Sequence, residues 1–290
     1  MKRFIPIASL LFLCFIATAV HAVTFSVPPV PDWPDTSWDV GKSITYDVSI
    51  DQGDDRFTFD LRLAVLDSEP EGSEMLYWVE MDFTDLRGVP QDLQELLYAN
   101  YGEVPSAIRM KLLIPQYDLM SMWTDPSGFY YDFTAPGFIR AMVFQYNRQV
   151  PYDVDPSLIG GFILPLVASE LMGDDLPEDF ISERNLGIHM IEDPESYNAD
   201  LSESEMTVEG GTFDGWLWTY SHVDGEGAAT TVFFAEFLPV MPIVSADINW
   251  DTGNGIGNGA MELTMIEETG ALTQIVGDPV RFDLTTLMGG

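Results

Sequence analysis

Strict alternation of apolar and polar residues in Ile44–Ile50 and again in Phe57–Leu63 is the feature that most limits how this chain folds. Successive side chains of an extended backbone point to opposite faces. Ile44, Tyr46, Val48 and Ile50 therefore share one side of a strand, and Phe57, Phe59, Leu61 and Leu63 share one side of the next. The residues between them, Asp51-Gln52-Gly53-Asp54-Asp55, are turn formers and make the two strands antiparallel neighbours. After a second turn at Glu69-Pro70-Glu71-Gly72-Ser73, Met75–Phe83 supplies a third strand of the same meander.

The middle of the chain reads differently. Leu93, Leu96, Leu97 and Tyr101 have helical spacing between Pro90 and Gly102, and Ala107–Ile114 returns to strand. Phe138–Tyr146 and Leu158–Met172 read as further helices, the second too short to cross a bilayer. From Leu186 the pattern is β again, with strands expected at Gly187–Ile191, Gly211–His222, Thr230–Phe237, Ile243–Trp250, Met261–Glu267 and Ala271–Val276. Strands on both sides of a helical insertion at about 138–173 describe an α+β domain. Neither a repeat nor a shift in composition divides 38–290 into two.

The N-terminal residues read as an export signal. Met1-Lys2-Arg3 is a basic start, Phe4–Val20 an apolar run, and Val20-His21-Ala22 a site with small residues where a peptidase reads them. Residues 1–22 are expected to be cleaved, the alternative being a retained anchor, and Pro-rich 23–37 to form an extended linker. Cys14 follows Leu13 rather than a small residue, which argues against lipidation. It is the sole cysteine, so the processed chain has no disulfide, thiol nucleophile or Cys-ligated metal.

Charge narrows the partners. With 47 acidic against 12 basic residues and a formal charge of −35, the chain lacks the clustered Lys and Arg that phosphate contacts need. Nucleic acid is excluded as a natural partner, and adhesion to anionic head groups is disfavoured. The acids are spread through every segment. That favours solvation at high ionic strength over a convergent cation site or a basic partner.

No motif for enzymatic chemistry stands out. Carboxylate pairs are too abundant here to mean anything by themselves. His189 and His222 sit on expected strands without metal-ligand spacing, and neither a G-x-S-x-G elbow nor a P-loop occurs. Asp247, Asn249 and Asp251 match the first three oxygen ligands of a calcium loop. Thr252 and Asn258 then stand where Gly and Glu are required, and a glycine-rich hairpin loop is the plainer reading. Phe57, Phe59, Trp78, Trp216, Trp218 and Phe233 are large side chains on strands; they either line a cavity for an apolar ligand or fill a packed core.

Thr207-Val208-Glu209-Gly210-Gly211-Thr212-Phe213, the Trp-rich strand to His222, Thr231–Ala235 and the Pro-bounded Leu238–Ile243 together resemble the C-terminal hairpins of bacterial periplasmic half-barrel proteins. That superfamily includes lipoprotein carriers and lipid-binding envelope proteins. The resemblance spans about residues 205–276, with an echo at Gly41–Val65. It implies a curved antiparallel sheet wrapped around helices on its concave face, and no catalytic residues. The resulting expectation is an exported, non-enzymatic protein in the periplasm or outside the cell. It would hold an apolar small molecule, lipid or acyl chain in a curved-sheet cavity, with an envelope protein as a further partner. An extracytoplasmic hydrolase with paired carboxylates and a calcium-stabilised module are the alternatives.

Overall fold

The β1–β2 pairing follows the sequence pattern residue by residue in this computed structural model. The structure describes residues 38–52, 55–89, 94, 98, 106–117, 135, 137–156, 197–222, 230–251 and 256–282, and all that follows concerns these. The leader, the linker, His189 and the segment Leu158–Met172 lie outside them. In β1 (Ser43–Gln52) and β2 (Asp55–Glu71), Ile44 faces Leu63, Tyr46 faces Leu61, Val48 faces Phe59 and Ile50 faces Phe57. The two apolar faces coincide, as burial of one side requires.

A tight turn with Gly72 at a φ of 64° leads into β3 (Glu74–Arg87), a backbone angle that glycine adopts without strain. β4 (Ala107–Pro115), β5 (Ala141–Tyr146) and β6 (Tyr152–Val154) continue the meander. A second meander comprises β7 (Tyr197–Val208), β8 (Gly211–His222), β9 (Thr230–Phe234), β10 (Ile243–Asp251) and β11 (Ile256–Glu267). β11 pairs with β1 and joins the two, while β12 (Val280–Arg281) runs parallel to β6. The result is one 12-stranded sheet in the order β12-β6-β5-β4-β3-β2-β1-β11-β10-β9-β8-β7.

Alternation gives this sheet two unlike faces. One is apolar: Tyr46, Phe59, Phe83, Met110, Leu112, Phe144, Leu263 and Val232 are all buried on it. The hydroxyl of Tyr46 reaches past β11 and donates to Ile243 O at 2.8 Å, which ties β1 to the start of β10. The opposite face carries Arg62, Glu80, Asp82, Arg109 and Gln145, the residues that alternate with the apolar set.

Three expectations are corrected, and a fourth falls almost entirely outside the described residues. Phe138–Tyr146 is not the start of a helical insertion: its second half is β5, and Arg140 N–H donates to Leu113 O as the chain enters the ladder. Met142, Phe144 and Tyr146 fit a period of two as well as a helical stripe, and β4 offers an open edge for them to pair with. Of the helix expected at Gln91–Tyr101 only Gln94 and Tyr98 are described, both helical in backbone, and no helix stands among the described elements. The sheet is open and uncurled, with β12 and β7 at its two ends, so the half-barrel curl is absent from the described ladder. Ala271–Val276, expected as a strand, is extended but joins no ladder.

Candidate functional site

Four of the six aromatic candidates share the apolar face. Phe59, Val48, Met261, Ala246, Val232 and Trp218 form one continuous cross-strand row. Phe57 packs on Phe59 at 5.2 Å between ring centroids, and Phe59 on Phe83 at 5.7 Å. Five strand spacings of about 4.8 Å separate Phe59 from Trp218, so these side chains mark the two ends of one long surface. At the far end Trp216 stacks on Phe234 at 5.8 Å.

Burial differs along that surface. Phe59 is closed into the core, whereas Phe57, Trp216 and Trp218 pack against the core but stay partly open. Trp78 and Phe233 do not belong to the set. Trp78 follows the opposite alternation, with Lys111 Nζ 4.6 Å from its ring centroid in a cation–π contact. Phe233 precedes Phe234 in a strand and therefore points away from Trp216; it is fully buried. Period-two spacing within a strand separates Trp216/Trp218 from Phe233 once the register of β8 against β9 is known.

The calcium-loop candidates lie on a strand. Asp247, Asn249 and Asp251 alternate along β10, where extended backbone carries successive same-face residues about 6.8 Å apart. Asp247 Oδ1 accepts a hydrogen bond from Asn258 Nδ2 at 2.8 Å. No group of three or more His, Cys, Asp or Glu side chains suited to a metal occurs among the described residues.

On the polar face a charged cluster is buried that the sequence reading assigned to solvent. Glu80 and Asp82 are 0% and 2% exposed. Arg62, directly opposite Asp82, donates to it at 2.9 Å and lies 3.6 Å from Glu80, and Arg109 faces Asp82 from β4. Removal from water pushes the Asp82 carboxyl up to about 7, with the Glu80 charge adding to the shift and Arg62 opposing it. A buried carboxyl with a raised pKa, as at Asp82, is one part of what a hydrolase reading calls for. Both acids are engaged, however: Glu80 binds the C-terminal segment through both oxygens, and Asp82 binds Arg62. Alternating charges of opposite sign at matching positions in β2, β3 and β4 were the available signal for this cluster.

No family model and no curated protein matches the chain. Similar solved structures include a candidate lipoprotein from Parabacteroides distasonis, at 10% identity over 82% of this chain and 100% of that one, with a TM-score of 0.29. A DUF1329 family protein from Desulfovibrio piger matches at 11% identity over 81% and 89%, TM-score 0.28. A candidate outer-membrane lipoprotein-sorting domain from Vibrio parahaemolyticus matches at 9% identity over 83% and 89%, TM-score 0.24.

Proposed function

We propose that this is an exported, non-enzymatic binding protein of the bacterial envelope that holds an apolar ligand, such as an acyl chain, against the apolar face of its sheet at the β8 end. The observation that carries the reading is the pair Trp216 and Trp218. They lie together at the β8 end of a mostly closed apolar face, they pack on Phe234 and Val232, and they remain partly open. Large amphipathic rings at the rim of a buried apolar surface suit a flexible hydrocarbon, which needs contact area and few directional partners. The N-terminal export signature and the sequence resemblance support the compartment.

Titration with a fluorescent fatty acid tests the assignment. Saturable uptake is expected, weakened at least about tenfold by Trp218→Ala, which forfeits roughly 1.4 kcal/mol or more of contact. Trp78→Ala, on the other face, should leave uptake unchanged. Absence of uptake, or equal loss in both variants, would contradict the reading.

A further inference from the structure

The segment that follows β11 crosses the polar face as a strap, and its attachment is unusual in kind. At one end Ala271 N–H donates to Gly41 O at 2.8 Å; at the other, Phe282 is buried, packs edge-on to Tyr152, and the Val280 and Phe282 N–H groups donate to Pro151 O and Asp153 O. Between them, no side chain from Leu272 to Val280 is buried. The middle is held instead through its backbone.

Arg62 Nη2 donates to Leu272 O at 3.2 Å. Glu80 accepts the Thr273 hydroxyl on one carboxylate oxygen and the Gln274 N–H at 2.6 Å on the other. Gln145, 1% exposed, takes the Val276 peptide from both sides: its Oε1 accepts the N–H at 3.1 Å and its Nε2 donates to the C=O at 2.8 Å. These three residues come from β2, β3 and β5 and are preset by the sheet. They recognise extended main chain and one hydroxyl, with no pocket for a specific apolar side chain.

We propose that Arg62, Glu80 and Gln145 form a binding site for extended peptide, filled in this chain by its own residues 272–276, and that the same segment of a second copy exchanges into it. A site that reads main chain binds a supplied strand of matching geometry as well as the tethered one, as strand addition to a sheet edge does. Ala271–Gly277 carries no charge, so a second copy of this acidic chain presents it without adding a carboxylate to the cluster. The exposed turn Glu268-Thr269-Gly270, with Gly270 at a φ of 85°, is a hinge from which the strap can leave. This site is on the face opposite the proposed apolar ligand and stands independently of it.

The test uses the full chain with a protease site placed in Glu268–Gly270 and cut after folding, so that the strap stays in place without its tether. A labelled synthetic peptide of residues 270–282 is added, alongside the same peptide carrying Val276→Pro, which lacks the N–H that Gln145 accepts. Saturable incorporation of the first peptide is expected, with the second at least about tenfold weaker. No incorporation by cleaved protein whose circular dichroism matches that of the uncut chain, or equal incorporation of the two, overturns the proposal.

Discussion

Asp82 shows how a single residue records its surroundings. Its carboxyl retains a proton in the folded state up to about 7 because burial, then the neighbouring Glu80 charge, penalises ionisation. The unfolded chain gives up that proton near the usual carboxylate value of about 3.9. Between those values the folded state binds more protons, so this residue's contribution to stability falls as pH rises from about 4 to about 7, by at most about 1.4 kcal/mol per unit. Asp82→Asn is expected to flatten that slope in urea unfolding followed across the range; an unchanged slope would place the effect elsewhere. The alternation that puts Asp82 opposite the apolar face was legible in the sequence, but its burial was not. An alternating polar residue reads as solvated unless something distant in the chain covers it; the neighbouring Glu80 is covered by Thr273 and Gln274, more than 190 positions away, and Asp82 is flanked by Arg62 and Arg109 from the adjacent strands.

At the scale of elements, legibility followed the strength of the period. β1 and β2 have unbroken alternation with turn formers between them, and their register came out as expected. β5 is short enough to satisfy two periods, and pairing with β4 decides it. β7 went unexpected because Leu201–Glu205 is exposed on both faces and gives no apolar alternation. Acids at Asp200, Glu203 and Glu205 on this terminal strand also make it a poor template for stray pairing. The strap looked like a strand because an extended segment held by side chains and one held by a ladder have the same local sequence signature. The two differ in how they open. Backbone bonds covered by buried apolar contacts open only with the core, whereas the strap has none between Leu272 and Val280. Native-state hydrogen exchange should therefore find the Gln274 and Val276 amides opening at a lower free energy than amides of β1–β4, and more protected than those of an unstructured peptide. Protection equal to the core strands would mean that the strap is part of the cooperative unit.

For the whole molecule, charge and face polarity set behaviour. Glu262, Asp47 and Asp60 stand opposite one another on three adjacent strands of the polar face, and like charges so placed repel. Burial, then Asp85 and Asp47, raises the Asp60 carboxyl above its usual value. With a formal charge of −35, folding gathers more negative charge than the few cations balance. Screening should help: the melting temperature is expected to rise on going from about 0.01 M to about 0.15 M monovalent salt, as the Debye length shrinks from about 30 Å to about 8 Å. A flat response would show the repulsion to be already compensated. The other face carries the functional claim. Phe59 lies in its closed core and Trp216 and Trp218 at its open end, so the aromatic candidates chosen from sequence were sorted by register and burial rather than brought together in one pocket. The most direct test of what that open end is for is native mass spectrometry of the full chain, purified without detergent. A population heavier than the polypeptide by the mass of an acyl-bearing molecule is expected, released by organic extraction and depleted in Trp218→Ala. A single peak at the polypeptide mass that stays unchanged after incubation with fatty acid would contradict it.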